Sequence, residues 1–156
     1  MMADRLNQVV GQAVAVTLEN MAFMEIAPAQ ADTEVPTSDN GMMARMLVLE
    51  PFQGEVQLAA TTALLRNVIE VVHAFPDDEV VEAMLSDMLG ELLNTIGGRL
   101  LTEYLPESQS YRLGLPEVGW DLPDCSEGQS RAWNLQIEDQ GLVLTLVGDG
   151  FFAGSI

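Results

Sequence analysis

The sequence predicts one α+β domain over residues 1–156, an antiparallel β-sheet with long α-helices packed on it. Apolar residues recur at helical spacing in three segments. Two further stretches, each split by a short turn signal, read as β-hairpins. Strands joined by short turns pair antiparallel, and helices set apart from them pack on the sheet. A length of 156 residues suits one domain and one core.

The first helix covers residues 3–22, where Leu6, Val9, Val10, Ala13, Val16 and Met21 keep helical spacing. Residues 27–41, with two prolines and Asp39-Asn40-Gly41, form a loop. MMARMLVLE is a strand, PFQG a turn and EVQLAA the returning strand. Thr61 or Thr62 caps a second helix through ALLRNVIEVVHAF, which Pro76 stops. A third helix runs from the acids Asp77, Asp78 and Glu79, favoured in a first turn by the helix dipole, to Tyr104. SQSYRLGLP has strand character and EVGWDLPDCSEGQS reads as loop. RAWNLQIEDQGLVLTLVG is a hairpin turning at Asp139-Gln140-Gly141. The tail DGFFAGSI carries no clear signal.

Charge excludes several functions. There are 24 acidic residues against 6 basic ones, all Arg, for a net charge of −18. Such a field repels phosphate backbones and anionic lipid, so neither nucleic acid nor a membrane surface is an expected partner. No apolar run is long enough to span a bilayer. The opening MMADRLNQVV has an early acid and no apolar stretch of signal-peptide type, so the expectation is a cytoplasmic protein. Cys125 is the only cysteine and His73 the only histidine, which argues against a disulfide, a Cys/His nucleophile and a transition-metal site.

The third helix breaks local rules. On a helical wheel Val81, Leu85, Met88, Leu89, Leu92, Leu93, Ile96 and Leu100 share a broad core face. Asp87, Glu91, Asn94 and Gly98 follow at i, i+4, i+7 and i+11 on the far side. Like charges at i, i+4 cost roughly 0.2–0.5 kcal/mol. Asn inside a helix costs about 0.5 kcal/mol relative to Ala, and each of Gly97 and Gly98 about 1. An ordinary solvated face accounts for polarity but not for these identities. Gly97-Gly98 removes bulk beyond Asn94, where a partner backbone could approach.

Asp87, three residues, Glu91, two residues, Asn94, twenty-one residues and Pro116 resemble the signature of the CheC/CheX/FliY phosphatases of bacterial chemotaxis. The order of elements resembles that family's CheC-like fold over most of the chain. One motif copy, with no Glu-x-x-Asn on the first helix, resembles a CheX-like single-site member. The resemblance implies a phosphatase that hydrolyses the aspartyl phosphate of a CheY-type response regulator. It also implies a homodimer that binds no cofactor itself, the Mg²⁺ being the partner's. Asn94 would position the water, Glu91 would contact the partner's Lys, and Asp87 would orient docking. Gly98, helped by Gly97, would give clearance, and Pro116 would shape the rim. The alternative is a non-catalytic adaptor of the same fold that binds a response regulator or a flagellar-switch component.

Other readings are weaker. Asp87 and Glu91 lie side by side on one helix, whereas glycosidase carboxylates must flank a bond. Asp77–Glu79 suits a helix start better than a cation site. Met21, Met24, Met42, Met43 and Met46 suit packing. Trp120 reads as a loop anchor and Trp133 as strand core.

Overall fold

The computed structural model describes residues 2–74, 80–120 and 128–152. The long strands of its sheet alternate apolar side chains on one face, and three short ones pair along them. The strands are β1 (Ala27–Pro28), β2 (Gly41–Glu50), β3 (Gly54–Thr61), β4 (Arg112–Leu113), β5 (Glu117–Gly119), β6 (Ser130–Ile137) and β7 (Gln140–Val147). All pairings between these strands are antiparallel, in the order β1-β6-β7-β3-β2-β4, with β5 also on β2. The register places Met46, Val56 and Leu146 in one row and Ala44, Leu58 and Leu144 in the next. All six are fully buried. A one-residue slip would turn these rows to the opposite face, so burial itself fixes the register.

Three helices, α1 (Met2–Ala22), α2 (Thr62–His73) and α3 (Glu82–Tyr104), join these rows in one core. α1 contributes Leu6, Val10, Val14 and Leu18 at i, i+4, i+8 and i+12. α2 begins at Thr61, whose Oγ1 accepts from Leu64 N–H at 3.2 Å, the N-cap expected from the sequence. α3 buries Leu85, Leu89, Leu92, Leu93, Ile96 and Leu100. Each such Leu or Ile contributes roughly 1.5–3 kcal/mol relative to exposure.

Several boundaries differ from expectation. α3 starts at Glu82, because Val81 is extended (φ −113°, ψ 162°). Val81 is 57% exposed, so it is not on the core face; Val80, buried at 7%, takes that place. Two adjacent β-branched residues favour this extended entry. Residues 117–119, read as loop, form β5 on β2, because Arg45 and Glu117 face each other across the pair. Residues 27–28, read as loop, form β1 on the edge of β6. The final hairpin turns at Glu138-Asp139, with Glu138 at φ 59°, and Gln140 already belongs to β7. The undecided tail opens with a 3₁₀ turn, Asp149–Phe151, that buries Phe151. Pro76, the acids Asp77–Glu79 and Cys125 lie outside the described residues.

Candidate functional site

The candidate stripe is presented by a helix fixed along its length. The inner face of α3 is sunk in the core. Gly97 is buried there, and a Cβ on it would overlap the Met46 Cε of β2. The chain then leaves α3 and returns alongside it. Tyr111 O–H donates to the Gly98 carbonyl at 3.3 Å and meets Thr102 Oγ1 at 3.1 Å. Pro116 and Val118 stand 3.8 and 3.6 Å from the point where a Cβ on Gly90 would lie. Trp120 Nε1 donates to Glu82 Oε1 at 2.8 Å, anchoring the segment to the first turn of α3. The Arg45–Glu117 ion pair, at 2.9 Å, ties its middle to the sheet.

On this support Asp87, Glu91 and Asn94 are all exposed, and Gly98 continues the line half-buried. The four fall within about 60° of helical arc. Among the described residues the side chains of Asp87, Glu91 and Asn94 make no hydrogen bond or ion pair. Pro116 is half-buried on the flank beside Gly90, one position before Glu91, with the 89% exposed Leu115 next to it. The fold thus brings all five sequence-predicted residues to one surface.

Gly97 is the exception among the expected helpers. It faces the sheet and lets helix and strand approach; it gives no clearance on the exposed side. Sequence reasoning also passed over Gly90, which Pro116 and Val118 flank at ordinary contact distance from where a Cβ would lie. A third glycine in the same helix was the available signal. Beyond Gly98 the stripe runs into an open cleft of about 440 Å³ between α1 and α3, lined by Gln12, Val16, Arg99, Thr102 and Tyr111 among others. Its residues are far apart in sequence, so no local pattern announces it.

At the end of α3, burial pushes the Tyr104 phenol above its usual pKa, and Arg5 opposes the shift. Arg5 sits 5.1 Å from the ring centroid and donates to the Tyr104 carbonyl at 2.9 Å. Among the described residues no group of three or more His, Cys, Asp or Glu could hold a metal ion, and no helix is long and apolar enough to cross a membrane. The stripe offers a neutral amide next to two acids on a surface open to a macromolecule. An Asn amide carries one acceptor and two donors without charge, so it can hold a water near a phosphoryl group that a carboxylate would repel.

Comparison with known proteins agrees with this architecture. Similar solved structures include a CheC-like superfamily protein from Shewanella sp. PV-4, with a TM-score of 0.73, 14% identity and coverage of 92% of this chain and 96% of that one. The chemotaxis protein CheX from Vibrio vulnificus aligns with a TM-score of 0.72 at 13% identity, over 91% and 97% of the two chains. The CheX–CheY–BeF3–Mg complex from Borrelia burgdorferi aligns with a TM-score of 0.65 at 12% identity, over 90% and 96%. At such identities the likeness is one of fold. No curated protein sequence matches. The family profile described as chemotaxis phosphatase CheX matches residues 42–122, which hold Asp87, Glu91, Asn94, Gly98 and Pro116. That match spans just over half of the chain, and the chain therefore belongs to the CheX family of chemotaxis phosphatases.

Proposed function

We propose that this protein is a cytoplasmic phosphatase for the aspartyl phosphate of a CheY-type response regulator. The observation that carries the reading is the stripe itself: Asp87, Glu91 and Asn94, exposed and unengaged among the described residues, on a helix that the core holds rigid. The alternative adaptor would have no use for a free amide at Asn94.

An acyl phosphate already hydrolyses in water, and in this reading the regulator brings its own Lys and Mg²⁺. This chain binds no cofactor. Asn94 accepts a hydrogen bond from a water and holds it in line with the phosphorus. The water oxygen forms the new P–O bond as the bond to the aspartate carboxylate breaks, and the water's proton leaves to the phosphate product. Glu91, about 4.5 Å back along the axis, contacts the regulator's Lys. Asp87, a further turn back, orients docking, and Pro116 shapes the rim.

The test is phosphate release from response regulators of the source organism, phosphorylated by a small-molecule donor. Wild type should accelerate release. Asn94→Ala should lower the rate roughly 10²–10³-fold, by analogy with loss of a single stabilising donor. Glu91→Ala should also weaken docking and flatten its salt dependence. A folded Asn94→Ala variant with full activity would remove Asn94 from the mechanism. Binding without acceleration by wild type would favour the adaptor.

A further inference from the structure

We propose that the cleft between α1 and α3 receives an acidic side chain of the docked regulator, held by Arg99 and Gln12. The inference rests on the reading of α3 as the docking helix and adds a second, oppositely charged anchor to it.

The cleft is continuous with the stripe. Gly98, the last member of the stripe, lines it together with Thr102, while Gln12 and Val16 of α1 and Tyr111 of the return segment line its sides. A partner seated over Asn94 therefore has an open recess of about 440 Å³ one turn further along, large enough for a side chain and its loop. The donors in it are unevenly engaged. The Tyr111 hydroxyl donates to the Gly98 carbonyl and is hydrogen-bonded with the Thr102 hydroxyl. Arg99 forms no ion pair among the described residues, although Glu103, another cleft residue, lies one turn on. Gln12 is exposed and likewise unengaged among them.

Charge gives the guest its sign. The chain has a net charge of −18 and six cations. Four of the six are occupied: Arg5 on the end of α3, Arg45 on Glu117, Arg66 on the Val80 carbonyl and Arg131 on Asn7. Arg112 lies outside the cleft, so Arg99 is the cation offered beside the stripe. An acid on the partner is repelled by Asp87 and Glu91 but accepted about 12 Å further along the axis at Arg99. A lysine–acid pair on the regulator, read by Glu91 and Arg99 in that order, fits in one orientation only. A regulator carrying a base in the second place meets Arg99 as a like charge, offset in part by Glu103 one turn on.

The experiment titrates a regulator of the source organism, loaded with Mg²⁺ and beryllofluoride, against wild type, R99E, R112E and N94A, with turnover of the phosphorylated regulator measured beside it. R112E carries the same charge change on an exposed residue outside the cleft. R99E should weaken binding roughly 5- to 10-fold and raise KM with kcat nearly unchanged. R112E should stay close to wild type, and N94A should lose kcat while still binding. Replacing the matching acid on the regulator by Lys should restore R99E. Equal effects of R99E and R112E, or a folded R99E with wild-type Kd and KM, would overturn the cleft assignment alone. Loss of R99E binding with full N94A activity would overturn the catalytic reading and leave the cleft. Failure of wild type to bind any regulator would overturn both.

Discussion

The neighbouring glycines of α3 give opposite answers to the same substitution. Gly98→Ala places a methyl whose nearest neighbour is the Tyr111 hydroxyl at 3.8 Å, an ordinary contact. Nothing opposes the helix-propensity gain of about 1 kcal/mol. Melting should therefore rise by about 2–4 °C for a domain of this size. Gly97→Ala forces the new methyl against Met46 Cε inside a fully buried core. Met46 Cε is the far end of a flexible side chain and can swing aside, so the overpacking falls at the low end, about 1 kcal/mol, and cancels the same propensity gain. Thermal and urea unfolding read the stability of both variants, and phosphate release at varied regulator concentration reads function. Gly98→Ala should be the more stable protein and the poorer enzyme, with raised KM, because its methyl stands on the surface a partner must approach. Gly97→Ala should be no more stable than wild type and kinetically similar. An unchanged KM for Gly98→Ala would refute partner clearance. A loss of stability for Gly98→Ala would refute the steric reading.

Two further outcomes test the fold and its assembly. The Tyr104 phenol is neutral and buried, with its O–H donating to the Phe151 carbonyl. Because its pKa is raised on folding, the unfolded chain releases this proton first as pH climbs past about 10. Its stability contribution is full below that pH and is lost as pH rises through the folded value. Tyr104→Phe should flatten this slope between pH 8 and 11 while lowering stability at pH 7 by about 1 kcal/mol; parallel curves for the two proteins would count against the assignment. The chain is also proposed to pair as a homodimer, so light scattering after size exclusion should give twice the monomer mass, and a monomer at all concentrations would refute it.

Much of this fold was legible because burial and periodicity coincide. The α1 and α3 stripes, the Thr61 cap and both hairpins follow from apolar spacing and turn residues. β5 was not legible, since Glu117, Val118 and Gly119 have no alternating pattern and owe their pairing to β2. β1, only two residues long, owes its strand geometry to the edge of β6. The start of α3 was misplaced because acids and Pro signal a first turn, while Val80 turns inward and delays it. At the site, Asp87, Glu91, Asn94 and Gly98 share one helix, so 3.6-residue periodicity alone groups them. Pro116 entered through a family resemblance, and its place beside Gly90 depends on the path of the return segment. Gly97 was assigned to the wrong face because two adjacent glycines look alike until one of them meets a strand.

α3 can carry these unfavourable residues because its stability does not come from its exposed side. The like-charge pair, the Asn and Gly98 together cost about 2 kcal/mol. One buried leucine offsets roughly that much, and α3 buries Leu85, Leu89, Leu92, Leu93, Leu100 and Leu101. The exposed face is therefore free to be chosen for a partner. In the proposed reaction that partner holds the phosphoryl group, the metal and the lysine, while this chain adds a single amide. A site so sparse has little chemistry with which to choose a substrate. Discrimination then falls to the surroundings of Asn94: the Pro116 rim on one flank, Glu91 beside it and the Arg99 cleft at the end of the stripe. Substitutions at Asn94 should therefore act on rate for every regulator alike, while substitutions around it should change which regulator is accepted.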